Sequence, residues 1–120
     1  MSIMAGDNSK ALERKQLLEQ ELQRYLSLLT SLDHPEQVIL FGSLATGDVH
    51  PDSDIDLVIV KQTDLPFWKR LREMRRLLQP RVGTNLLVYT PNEFEQLRRD
   101  RPFVRIEILG KGKVMYERQH

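Results

Sequence analysis

Phe41 to Val60 reads FGSLATGDVHPDSDIDLVIV, and this stretch decides the fold. An apolar strand end at Phe41 meets a Gly42-Ser43 turn, a small-residue segment closes at Gly47, and a polar loop leads through Ser53 into Asp54-Ile55-Asp56 and a second apolar strand. Residues two apart on a strand point to one face, so Asp54 and Asp56 present their carboxylates together, Cα atoms roughly 7 Å apart. Ile55, Leu57 and Ile59 take the other face, into a core. Gly42 lets backbone approach phosphate oxygens with no Cβ in the way. Ser43 offers a hydroxyl and an N–H where a short helix, Leu44 to Thr46, begins and its dipole favours anions. The two acids suit a hard divalent cation. An Asp-x-Asp alone is more often a solubilising strand start. The Gly-Ser turn about ten residues upstream shifts the reading to a metal-and-phosphate site.

Working outward, Gln37 to Phe41 (QVILF) reads as the first, buried strand. Ahead of it, Ser9 to Ser31 has helical periodicity, with Leu12, Leu17, Leu18, Leu22, Tyr25, Leu26 and Leu29 on one broad face. Glu13, Lys15, Glu19, Glu21 and Arg24 occupy the rest, and Asp33-His34-Pro35 ends the run. Residues 1–8 carry no pattern and are expected to form a flexible N-terminus, leaving residues 9–120 as a single domain. Downstream, Ile55 to Val60 is the second strand, and Phe67 to Gln79 is a helix ended by Pro80. Its Lys69, Arg70, Arg72, Arg75 and Arg76 make a basic face, first a solvated surface and second a contact for an anionic partner. Thr84 to Tyr89 is a third strand. Thr90-Pro91-Asn92-Glu93 then starts a helix to about Arg99 with a capping box. A turn or helix from Pro102 to Leu109 and a short last strand, Lys113 to Tyr116, complete an α/β (α+β) domain: a small mixed sheet covered by helices.

The whole chain agrees with one ordinary soluble domain: 120 residues, 40% hydrophobic and 29% charged. With no cysteine, neither disulfides nor a thiolate zinc site arises, which suits the cytoplasmic location expected for it. No run approaches the ~18 apolar residues of a membrane span, and no apolar leader opens the chain. A formal charge of +1 argues against direct nucleic-acid binding. His50 reads as an exposed loop residue.

Gly42-Ser43, Gly47 and Ser53-Asp54-x-Asp56-Leu57 resemble the defining pattern of the DNA polymerase beta-type nucleotidyltransferase superfamily. The size, and the Val88 to Phe94 stretch (VYTPNEF), are similar to its minimal branch, the MNT proteins; the resemblance spans about Leu12 to Glu117. It implies that fold, a nucleoside triphosphate (ATP) as donor, Mg2+ as cofactor, and transfer of AMP to a hydroxyl. It also implies a partner, an HEPN-domain toxin whose tyrosine is adenylylated by the MNT antitoxin in a hetero-oligomer. By the same resemblance Asp54 and Asp56 are metal ligands, and Gly42, Ser43, Gly47 and Ser53 bind the nucleotide.

Two departures from the pattern bear on activity. The third acid's position is held by Asn85, whose amide oxygen can ligate a cation but adds no negative charge. No acid lies between Arg81 and Thr90, and Glu93 is expected to be occupied by capping. The turn also reads Leu44-Ala45-Thr46 where relatives often carry arginines, so a cation for the triphosphate must come from elsewhere, with Arg81, Lys61 and Lys69 as candidates. Hence the alternative reading: a catalytically impaired module that neutralises its partner by binding, or binds nucleotide without turnover.

Overall fold

In the computed structural model, backbone is described for residues 2–119 and side chains for residues 9–119. The elements are α1 (Ser2–Leu28) running into a wide helical turn (Leu29–Asp33), β1 (Gln37–Phe41), α2 (Gly42–Thr46), β2 (Ile55–Val60), α3 (Phe67–Leu78), β3 (Thr84–Tyr89), α4 (Pro91–Asp100), a π-helical segment (Val104–Gly110) and β4 (Lys113–Glu117). The helix thus begins before Ser9. The expected flexible stretch at 1–8 lies outside the described side chains.

The four strands form one mixed sheet in the order β3-β2-β1-β4. β2 and β3 run parallel, joined by α3, while β1 pairs antiparallel with β2 and β4. Both faces are covered, which is why β1 and β2 read as continuous apolar runs. On one face Val38, Leu40, Ile55, Leu57, Ile59, Leu86 and Val88 pack against Leu18, Leu22 and Tyr25 of α1, Leu29 of the turn that follows it, and Met74 and Leu78 of α3. On the other, Ile39, Val58 and Val60 meet Phe94 of α4 and Val104 and Ile108 of the π-helical segment. Among the described residues no helix is long and apolar enough to cross a membrane.

The inward stripe of α1 differs from the expected one. Leu12 and Leu17 are exposed, whereas Glu21 is buried. Leucine surrounds this helix, so periodicity alone could not choose among its leucines, and Glu21 is buried because it has partners. Arg24 donates to both of its carboxylate oxygens, at 2.8 and 2.7 Å, and the Arg81 backbone N–H donates at 2.7 Å. The Arg24 hydrogen bond is the largest cause that brings the Glu21 carboxyl down to about 2, against the desolvation that raises it. The pair fastens α1 to the loop that delivers β3, and Tyr25 Oη adds a buried 2.7 Å hydrogen bond to Thr84 Oγ1.

A carboxyl depressed in the fold stabilises above its unfolded pKa, and that contribution fades as pH falls toward the folded value. Urea unfolding of the wild type should therefore lose about 3 kcal/mol between pH 5.5 and pH 2 relative to a Glu21→Gln variant. Parallel pH profiles for the two proteins would contradict this.

α3 is also less uniformly basic at its surface than its sequence. Arg70 is buried: its Nε donates to Leu65 O at 2.7 Å and its Nη1 to Val88 O at 3.2 Å, and its guanidinium grips Glu93 at 2.6 and 3.2 Å. Glu93 also closes the capping box of α4, accepting from the Thr90 N–H at 2.8 Å. It is therefore committed to capping and to Arg70.

Candidate active site

The antiparallel β1–β2 pairing carries the end of β1 to the start of β2, with Phe41 opposite Asp56. The parallel β2–β3 register sets Asp56 beside Asn85. Asp56 shares a face with Val58 and Val60, and Asn85 with Leu87 and Tyr89, so both stand at the rim of one sheet face. Asn85 Nδ2 donates to Asp56 Oδ1 at 2.8 Å. Burial pushes the Asp56 carboxyl above its ordinary range, the Asn85 hydrogen bond pulls it back, and the Asp54 charge pushes it up again. Asp54 precedes the strand, its side chain 43% exposed.

Two glycines make room for these acids. A Cβ on Gly42 would lie 2.1 Å from Asp56 Oδ2, and one on Gly83 2.2 Å from Asp54 Oδ1. Gly42 also has φ +74°, a region L-residues avoid. Gly42 is thus required by the carboxylate packed on it as well as by the turn. Gly83 stays close through the Ile55 N–H, which donates to its carbonyl at 3.0 Å, a continuation of the parallel ladder. Gly47 has a different reason: with φ +89° it caps α2, its N–H donating to Ser43 O at 2.9 Å, and open space where a Cβ would stand.

Ser43 sits half-buried in the first turn of α2, one residue from Gly42. Ser53 is buried and shapes the loop: its hydroxyl accepts from the His50 N–H at 2.8 Å, and its own N–H donates to His50 O at 3.0 Å. The sequence-derived candidates fall into a tight group of Gly42, Asp54, Asp56 and Asn85, with Ser43 beside it and Gly47 and Ser53 holding its loops.

Two of the expected cations are elsewhere. Lys61 follows the far end of β2, roughly 17 Å along the strand from Asp56, and pairs with Asp33 and Glu73. Lys69 lies in a surface groove of α3 with Leu65, Arg72, Glu73 and Arg76, its ammonium 5.4 Å from the centre of the Trp68 ring. Arg81 leads toward Gly83 but is tied by its backbone N–H to Glu21. The residue beside the acids is Arg14 of α1, which sequence reasoning missed. Its Nε donates to Ser53 O at 2.8 Å and its Nη2 is 3.8 Å from Asp54 Oδ1. The available signal was spacing: Arg14 precedes the buried Leu18 by four residues and Tyr25 by eleven, on one helix stripe.

The donors fit a divalent cation. Two carboxylates near enough that the charge of Asp54 raises the proton affinity of Asp56 carry the charge of one such ion, and an amide stands beside them. Among the described residues no group of three acids, histidines or cysteines forms an alternative metal centre.

A family model described as polymerase beta nucleotidyltransferase matches residues 20–120. The fold is similar to that of a candidate nucleotidyltransferase from Sulfolobus solfataricus, at 20% identity and TM-score 0.64, covering 91% of this chain and 88% of that one. It is also similar to a toxin–antitoxin structure with AMP-PNP, at 21% identity and TM-score 0.53 over 81% of this chain and 73% of that one. A mutant of the toxin–antitoxin MntA-HpeT matches at 20% identity and TM-score 0.50 over 81% and 72%. At these identities the likeness is one of fold. No curated protein matches the chain in sequence.

Proposed function

The chain belongs to the polymerase beta nucleotidyltransferase family, and on that premise we propose that it transfers AMP from ATP–Mg2+ to a hydroxyl of a partner protein, a tyrosine of an HEPN-domain toxin that it silences in the cytoplasm. The observation that carries the reading is the convergence of Asp54 and Asp56 at the head of β2 with the Gly42 turn packed on Asp56. The toxin–antitoxin neighbours support a protein acceptor, and the neighbour with AMP-PNP supports an adenine nucleotide.

Asp54 and Asp56 would hold Mg2+, which supplies Lewis-acid charge at the transferring phosphoryl group. Gly42 and Ser43 would lie against the phosphates through backbone and hydroxyl, and Gly47 and Ser53 would fix the loops that present them. The acceptor hydroxyl releases its proton to solvent, its oxygen bonds to the α-phosphorus as the bond to the β-phosphate oxygen breaks, and pyrophosphate leaves. A domain with this open site gains its acceptor from the partner, in a hetero-oligomer.

One observation favours a second reading. Asn85 turns its Nδ2 to Asp56, so it engages one acid as a donor and adds no charge. A module that masks its partner, or binds nucleotide without turnover, would look the same at this position.

The test incubates the protein and its toxin partner with ATP labelled at the α-phosphate. The expected result is label on the toxin, and about tenfold faster labelling by Asn85→Asp at saturating Mg2+, because a third carboxylate strengthens the cation's hold. No label from either protein would leave the masking reading in its place.

A further inference from the structure

Arg14 has an unusual assignment for a helix residue on a buried stripe. Its side chain is only 22% exposed, and its Nε is anchored to Ser53 O at 2.8 Å. That bond uses one donor of five. The terminal nitrogens make no hydrogen bond among the described residues, and the nearest acid oxygen, Asp54 Oδ1, is 3.8 Å away. A neutral donor could have capped the Ser53 carbonyl. A permanent charge held at its root, with its fork engaged only by a long ion pair to Asp54, is poised for something else.

Cation and guanidinium cannot share Asp54 without opposing one another. If Mg2+ occupies the acids, Arg14 is left beside a second positive charge, an arrangement that costs energy unless an anion enters between them. The α2 turn, Gly42–Thr46, has no basic residue, Lys61 is paired elsewhere, and Arg14 lies ahead of the matched segment 20–120.

We propose that Arg14 is the phosphate-binding cation of this site: in the structure it rests on Asp54, and when Mg2+–nucleotide binds it turns about its Ser53 anchor onto the polyphosphate. This rests on the nucleotidyltransferase reading above. Arg14 then both competes with bare Mg2+ for Asp54 and holds the nucleotide that arrives with it.

The two roles predict shifts of opposite sign, which a merely structural arginine would not produce. Calorimetric titration of Arg14→Gln with Mg2+ alone should show affinity raised about threefold, because the competing charge is gone. The same variant titrated with Mg2+–ATP should bind about tenfold more weakly, the usual cost of a lost charge-assisted hydrogen bond. Arg14→Lys should keep most of the Mg2+–ATP affinity, and thermal melts of all three proteins establish that they are folded. Unchanged Mg2+–ATP affinity in Arg14→Gln, or a fall in both affinities together, overturns the assignment while leaving the nucleotidyltransferase reading intact. A wild type that binds no Mg2+–ATP overturns both.

Discussion

Gly42→Ala should cost the protein about 3 kcal/mol and lower its thermal midpoint by on the order of 10 °C. Two effects add at this position. Positive φ costs an L-residue about 1–2 kcal/mol, and the new Cβ would lie 2.1 Å from Asp56 Oδ2. Asp56 has little freedom to withdraw. Its strand is paired on both sides, and Asn85 holds its other oxygen. Gly83→Ala makes an equally close contact, 2.2 Å from Asp54 Oδ1, but Asp54 is open to solvent and can swing away. Gly47→Ala carries only the conformational cost, having nothing within 4 Å. Differential scanning calorimetry should rank the three, with Gly42→Ala the most damaging. Equal midpoints for Gly42→Ala and Gly47→Ala would show that Asp56 is not packed as described.

The second large effect falls on activity. Asp56→Asn preserves shape and the strand pairing but removes one of the two charges available to a divalent cation. Nucleotidyl transfer should fall on the order of a thousandfold, the scale of several kcal/mol of lost transition-state stabilisation. Stability should move the other way. Burial first, and the Asp54 charge as well, push the Asp56 carboxyl up, so its ionised form is disfavoured in the fold. A neutral amide relieves that, and the variant's thermal midpoint should equal or exceed that of the wild type. Loss of transfer in a protein that has not lost stability separates a site residue from a structural one.

Much of this site was readable from the chain because its chemistry is local. β1, β2 and β3 are apolar runs bounded by polar residues or glycine, so their limits fall where the sequence sets them. Asp54, Asp56 and the Gly42-Ser43 turn lie within one continuous stretch, and the capping box at Thr90 and Glu93 is a four-residue pattern. What escaped depended on distant partners. Glu21 and Arg70 look like surface charges until each meets its partners, the Arg81 N–H sixty residues along for one and the Val88 carbonyl and Glu93 for the other. The Arg14 contact to Ser53 spans 39 residues and exists only because α1 lies across the loop before β2. Gly83 shows no motif at all; its need for hydrogen in place of a side chain comes from Asp54 across the ladder.

The claim that ties these features together is that Asp54 and Asp56 form a cation-dependent nucleotide site. Isothermal titration of ATP into the wild type and Asp56→Asn, each with Mg2+ and with EDTA, tests it most directly. Saturable binding by the wild type in Mg2+, abolished by EDTA and by Asp56→Asn, is the predicted result. ATP binding that is indifferent to Mg2+, or that survives unchanged in Asp56→Asn, would contradict it.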